Sequence, residues 1–232
     1  MVEQLWKLPQ LIWHWQAEVE KLPTQLVVAG GRAPGAAWLR QVAAEKQIYC
    51  ADKGIACCLQ AGLAVAELYG DGDSGSETDY ARAIAQGTVV HRFPPAKDDT
   101  DLQLVLQQLP QGHVLCSGVW GGRFDHLYSN IFSLLQHQLR RGVRVCLADE
   151  QEIMLLLQTG DQVELDFQQR PVALSLLPLT ATTQVSMMGV QWPLDQAELT
   201  MLHPYAISNV PLGTCSCSCL EGAVGLYLSY AK

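Results

Sequence analysis

The sequence predicts an α/β protein in two parts: a mainly parallel, Rossmann-like α/β sandwich over residues 1–150, then a small all-β sandwich domain over residues 151–232. Three observations carry this. Up to about residue 150, short apolar runs alternate with helix-like stretches, the order that builds a parallel sheet covered by helices. Beyond it the pattern turns to period 2, as in Val163-Glu164-Leu165-Asp166-Phe167 and Cys215-Ser216-Cys217-Ser218-Cys219. Pro171, Pro178, Pro193, Pro204 and Pro211 then argue against long helices in that tail.

Taken in order, Gln25-Leu26-Val27-Val28-Ala29 reads as a strand that ends at Gly30-Gly31, with Pro34 placed where a helix can begin. Ile48 to Ala51 ends at Asp52, and the apolar run Leu63 to Tyr69 leads into Gly70-Asp71-Gly72-Asp73-Ser74. Thr88 to Phe93 stops at the breaker Pro94-Pro95. His113 to Cys116 ends at Gly118, and Val143 to Leu147 ends at Asp149. The clearest helix runs from Arg123 to Arg141, with Phe124, Leu127, Tyr128, Ile131, Leu134, Leu135 and Leu139 on one stripe. Arg140 and Arg141 suit the negative end of its dipole, and Gly142 ends it. In the tail, Thr159-Gly160-Asp161 and Glu221-Gly222 mark turns.

A chain of 232 residues can bury one large core or two smaller ones. Its net charge of -8 argues against nucleic acid, which calls for a basic face. A polyphosphate ligand would need its charge met locally, by metal and a few basic residues. Met1 to Trp15 is apolar but lacks a basic flank and a small-residue cleavage site. The apolar stretches fall short of the about 20 residues that span a bilayer. The expectation is a cytoplasmic protein without membrane contact, its eight cysteines reduced.

Chemistry concentrates at the predicted strand ends, where open α/β sheets bind ligands. Asp71 and Asp73 stand two apart after an apolar run, an arrangement suited to magnesium on carboxylates and substrate phosphates. A calcium loop of the EF-hand type fails, because its sixth and twelfth positions would be Ser76 and Arg82. Lys97-Asp98-Asp99-Thr100-Asp101 supplies a second acidic group beside a point charge suited to phosphate. Thr100 and Gln103 also form a capping box, and a helix start is itself an anion site. Gly121-Gly122-Arg123 joins a strand to the long helix, where backbone N–H groups and a guanidinium fork could meet phosphate oxygens. The pattern points to phosphoryl-type transfer. Cys215, Cys217 and Cys219 lack zinc-like spacing and read as small buried hydrophobes.

Together these blocks resemble the thiamin pyrophosphokinase family. The resemblance rests on Gly30-Gly31, Ala51-Asp52-Lys53-Gly54, Gly70 to Ser74, Lys97 to Asp101, Gly121 to His126 with Asn130, Gly189 to Leu194, and Ser208-Asn209. It implies an α/β nucleotide domain, a thiamin-binding β-sandwich, and a homodimer with active sites between subunits. It further implies transfer of the pyrophosphoryl group of ATP to the hydroxyethyl group of thiamin. Asp71, Asp73 and Asp101 would hold magnesium. Lys97, Asp98, Thr100, Arg123 and Asp125 would meet ATP or its phosphates, with Asp52 at the same cleft. Trp192 would stack on thiamin, with Ser208 and Asn209 near it. Asp71, Asp73 or Asp98 could take the proton of the attacking alcohol. Two departures stand out: Gly72 replaces a bulky residue between the two Asp, and Lys53 precedes Gly54 where a glycine pair is usual. The alternatives are a pyrophosphokinase for another heterocyclic alcohol, such as a hydroxymethylpterin, and a non-catalytic nucleotide or thiamin-binding protein.

Overall fold

The computed structural model describes residues 4–16, 21–72, 77–94 and 96–231. It is mixed α/β and divides into two compact units, residues 22–149 and residues 1–21 with 150–232. The chain opens with the hairpin β1 (Gln4–Lys7) and β2 (Leu11–Trp15).

The α/β unit follows. Its strands are β3 (Thr24–Val28), β4 (Ile48–Ala51), β5 (Glu67–Gly70), β6 (Val89–Arg92), β7 (His113–Ser117) and β8 (Val145–Ala148). All pair in parallel, in the spatial order β8-β7-β3-β4-β5-β6. Every residue of β4, β7 and β8 is buried, as expected of parallel strands covered on both faces, while β6 has no fully buried residue. The helices are α1 (Ala36–Val42), α2 (Gly54–Gln60), α3 (Glu77–Ala85), α4 (Asp101–Gln108) and α5 (Phe124–Arg141). The capping box at α4 forms as the sequence predicts: the Thr100 N–H donates to Gln103 Oε1 (2.8 Å) and the Gln103 N–H to Thr100 Oγ1 (3.3 Å). Gly142 closes α5 at φ 65°.

The antiparallel unit adds β9 (Glu152–Gln158), β10 (Gln162–Phe167), β11 (Ala173–Pro178), β12 (Thr182–Val190), β13 (Leu194–Thr200), β14 (Pro211–Glu221) and β15 (Ala223–Ser229). One sheet runs β1-β2-β10-β14-β12-β13, and β11, β15 and β9 pair beside one another. Here the first 21 residues depart from the expected division at 150/151. β2 pairs with β10, with Trp13 opposite Leu165 and Trp15 opposite Val163. Leu11, Trp13 and Trp15 are buried at alternate positions. That period-2 signal lay in the sequence, and it marks a strand of the tail rather than of the α/β unit. Cys215, Cys217 and Cys219 are fully buried on one face of β14.

The stripe expected along α5 is fully buried only at Leu134 and Leu135. Leu134 and Leu135 lie in the core, but Phe124 is 76% exposed, and Tyr128 and Leu139 are half exposed. Phe124, Tyr128 and Phe132 form an aromatic ladder instead, with centroids 6.3 and 4.8 Å apart. Periodicity identified the helix but could not show how much of it the sheet covers.

Candidate active site

Chain order places the cleft. From β3 the chain steps outward through β4, β5 and β6, and then returns to lay β7 on the opposite side of β3. Loops leaving β3 and β7 therefore diverge, and a crevice opens beyond their carboxyl ends. A backbone seam fixes its floor. The Ala29 N–H donates to the Ser117 carbonyl (2.8 Å), the Gly31 N–H to Gly118 (2.6 Å) and the Arg32 N–H to Trp120 (2.6 Å). Gly118 has φ 69°, and a Cβ there would stand 2.2 Å from the Ala29 carbonyl oxygen, so only glycine fits. Arg32 then donates through Nε (2.8 Å) and Nη2 (2.6 Å) to the buried Asp149. This ion pair buttresses the seam and went unrecognised in the sequence, where its partners lie 117 positions apart.

The cleft encloses about 530 Å³ and is lined by Asp52, Asp71, Lys97, Thr100, Asp101, Gly121, Gly122 and Arg123 among the expected residues. Lys53, Asp99, His126 and Asn130 also line it. Its centre is Lys97, whose Nζ lies 3.2 Å from Asp71 Oδ2 and 3.2 Å from Asp101 Oδ1. All three side chains are largely buried, at 15%, 10% and 22% exposure. Burial works against the ammonium charge, but hydrogen bonds and attraction from the two carboxylates raise its pKa above the ordinary value. Asp52 shows the opposite balance. Desolvation raises its pKa, an effect that Lys53 opposes and the negative Asp101 and Asp71 reinforce.

Some expected residues stand elsewhere. Asp98 is exposed and does not line the cleft; the turn that sets Thr100 as the α4 cap points Lys97 and Asp101 inward, and Asp99 lines the wall instead. Asp125 is also outside the lining. It pairs with Arg123 through Nε–Oδ1 (3.1 Å) and Nη2–Oδ2 (2.5 Å), so that guanidinium fork is met by a neighbouring carboxylate. Gly121 and Gly122 both have positive φ, 72° and 68°, as a tight strand-to-helix turn requires. Asp73 lies outside the described residues.

In the antiparallel unit, Trp192 and Asn209 come together although 17 positions separate them. Asn209 Oδ1 accepts from the Trp192 N–H (3.1 Å) and the Val210 N–H (2.9 Å), and its Nδ2 donates to the Trp192 carbonyl (2.7 Å). The Asn209 amide is thus committed to holding the Trp192 backbone, while Trp192 as a residue is 56% exposed. Ser208 adopts φ 58°, and its N–H donates to Ser175 Oγ (3.1 Å).

Among the described residues no three His, Cys, Asp or Glu side chains are arranged as a metal cage. Two observations nonetheless fit a divalent cation. Asp71 and Asp101 already converge on one cation, the Lys97 ammonium, and Asp52 Oδ1 is buried with no protein hydrogen-bond partner among the described residues. Oxygen-only ligands of this kind suit magnesium.

Fold and cleft define a class first: a mixed α/β protein with an acidic cleft at the carboxyl ends of its parallel strands and a second, antiparallel unit. Comparison with known proteins narrows this. Residues 39–147 match the catalytic domain of thiamin pyrophosphokinase. The chain is 29% identical over 163 residues to the thiamine pyrophosphokinase of Bacillus subtilis, covering 68% of this chain and 75% of that one. A crystal structure of thiamine pyrophosphokinase from Bacillus subtilis superposes with a TM-score of 0.78 at 25% identity, over 90% of this chain and all of the other. Thiamin pyrophosphokinase from Candida albicans shares the fold, with a TM-score of 0.77 at 14% identity, over 100% of this chain and 99% of that chain. In its catalytic-domain sequence and in its fold, the chain is similar to the thiamin pyrophosphokinases.

Proposed function

We infer that this chain transfers the pyrophosphoryl group of ATP to the hydroxyethyl group of thiamin, giving thiamin diphosphate and AMP. Beyond that similarity, the carrying observation is the Asp71–Lys97–Asp101 cluster inside the cleft. In this reading the α/β unit is Rossmann-like and takes ATP, and the antiparallel unit is a β-sandwich that presents thiamin. Asp71 and Asp101, with Asp73, would hold magnesium, which supplies charge neutralisation for the triphosphate when bound.

The remaining work falls to this chain's own groups. Transfer of this kind is mainly positioning and charge stabilisation. Lys97 offers a point charge to a phosphate oxygen once a cation takes over its two carboxylates. The Gly121-Gly122 turn lets backbone approach the phosphates closely, and Arg123 reaches them by exchanging Asp125 for phosphate. Asp71 or Asp73 remains a candidate to accept the alcohol proton; the exposed Asp98 is less well placed. The exposed Trp192 face suits a cationic thiazolium or an electron-poor pyrimidine. Asn209 acts by holding the Trp192 backbone in place, and Ser208, next to it in the chain, lies near the same pocket.

The same reading includes a homodimer that shares its active sites. Supporting it, Trp192, Leu202, Tyr205 and Ile207 all lie exposed on the antiparallel unit, Leu202 at 97%. No helix among the described residues is long and apolar enough to cross a membrane, and all eight cysteines are free, which supports a reducing cytoplasmic setting.

The test is incubation with ATP, magnesium and thiamin, following AMP and thiamin diphosphate by chromatography. Equal formation of both, lost without magnesium, is expected. AMP formed only with a hydroxymethylpterin would overturn the acceptor, and ATP binding without turnover on either alcohol would make the chain a binding protein.

A further inference from the structure

Two polar atoms behind the cleft lack a hydrogen-bond partner among the described residues: Asp52 Oδ1 and the Tyr80 hydroxyl. Tyr80 projects from the buried face of α3 and is 1% exposed. The two are neighbours across Gly70, where a Cβ would stand 2.6 Å from the Tyr80 oxygen and 3.3 Å from Asp52 Cα. Buried polar atoms are normally paired, and each one left unpaired calls for an explanation. Asp52 adds backbone strain, with φ 47° in the left-handed region. The Tyr80 hydroxyl and the Asp52 backbone both flank Gly70, beside the strand end that carries Asp71, which points to one ligand for the two oxygens.

The chemistry of that ligand follows from the pair. Burial, reinforced by the negative Asp52 and Asp101, pushes the Tyr80 phenol up to about 12, so it is neutral at working pH and its hydroxyl can accept as well as donate. Asp52 Oδ1 is an acceptor too. A water bound to a metal ion meets both, because its two hydrogens can be donated to the two oxygens while its own lone pair faces the ion. Magnesium characteristically keeps several of its waters. The Arg92 guanidinium lies 5.1 Å from the Tyr80 ring centroid and fixes the ring without using its hydroxyl.

We propose that Tyr80 is a positioning residue for the divalent cation: its hydroxyl and Asp52 Oδ1 together hold a water of the ion bound by Asp71 and Asp101. This rests on the cation reading given under the proposed function. Groups that hold a metal's waters or ligands typically change its affinity about 10–100-fold when removed.

Tyr80→Phe keeps the ring, its packing and the Arg92 contact, and removes one oxygen. Mn²⁺ titration of the nucleotide-free protein, read by electron paramagnetic resonance, should show binding about tenfold weaker, with no loss in Tm. Asp52→Asn should weaken Mn²⁺ by a similar factor. The double variant should cost less than the sum of the two, because both act through one water. Unchanged Mn²⁺ affinity in Tyr80→Phe, or strict additivity in the double variant, would overturn the proposal. Asp71→Asn is the control for the underlying reading. If it too binds Mn²⁺ like the parent, the cation site itself falls and the role of Tyr80 with it.

Discussion

Replacing Lys97 with Met removes a cation that Asp71 and Asp101 share while keeping most of its aliphatic stem. Both carboxylate oxygens lie 3.2 Å from Nζ, so they stand no more than twice that distance apart. At about 6 Å and an effective dielectric of about 20, their bare repulsion is about 3 kcal/mol. Residual exposure of 10% and 22% lets solvent screen part of it, leaving about 2 kcal/mol. In a chain of this size that lowers Tm by roughly 4–8 °C. Differential scanning calorimetry without divalent ions measures the loss. Adding Mg²⁺ should then raise the variant's Tm more than the parent's, because the ion no longer competes with an ammonium for the same oxygens. Activity should fall despite tighter metal binding, since the phosphate loses its point charge. A metal-free Tm equal to the parent's, or an equal Mg²⁺ response in both proteins, would refute the reasoning.

Other perturbations separate the remaining roles. Asp52 has its pKa raised by desolvation first, so the folded state holds its proton more tightly than the unfolded chain does. Its ionisation therefore costs stability above the folded pKa, and nothing below the unfolded value near 3.8. Asp52→Asn, an exchange that also suits φ 47°, should raise Tm at pH 7 in metal-free buffer, with the gain shrinking as pH falls toward 4. A Tm at pH 7 no higher than the parent's would contradict this. Trp192→Ala should raise the KM for thiamin well above any change in that for ATP; steady-state kinetics showing the reverse would end the stacking assignment. Asn209→Ala removes three hydrogen bonds around Trp192, about 2–3 kcal/mol in all. It should broaden Trp192 fluorescence and raise the thiamin KM without touching ATP, whereas a pure stability loss would limit Asn209 to scaffolding.

The sequence was legible wherever the signal was local. Apolar runs ending at Gly or Asp located β3, β4, β5, β7 and β8, and the Thr100–Gln103 box located the start of α4. The acidic motifs and their strand-end positions identified most of the cleft, because strand carboxyl ends in an open α/β sheet converge whatever lies between them. What failed depended on distant partners. The hairpin Gln4–Trp15 carries an ordinary period-2 pattern, and nothing local says that it pairs with residues 162–167. Asp98 and Asp99 are chemically identical neighbours, and only the turn before α4 decides which one faces the cleft. Tyr80 sits on a helix whose pattern explains its burial completely, so its unpaired hydroxyl is invisible until the Asp52 loop is placed beside it.

By itself, then, the sequence determined the elements, the resemblance to a family and the residue types available for chemistry, since periodicity, turn residues and motif spacing are written along the chain. Tertiary structure alone decided which charges meet. Lys97 bridges Asp71 and Asp101, Arg32 reaches Asp149, and Asn209 holds Trp192 because sheet order brings distant loops together, and hydrogen bonds and Coulomb forces act only across such short distances.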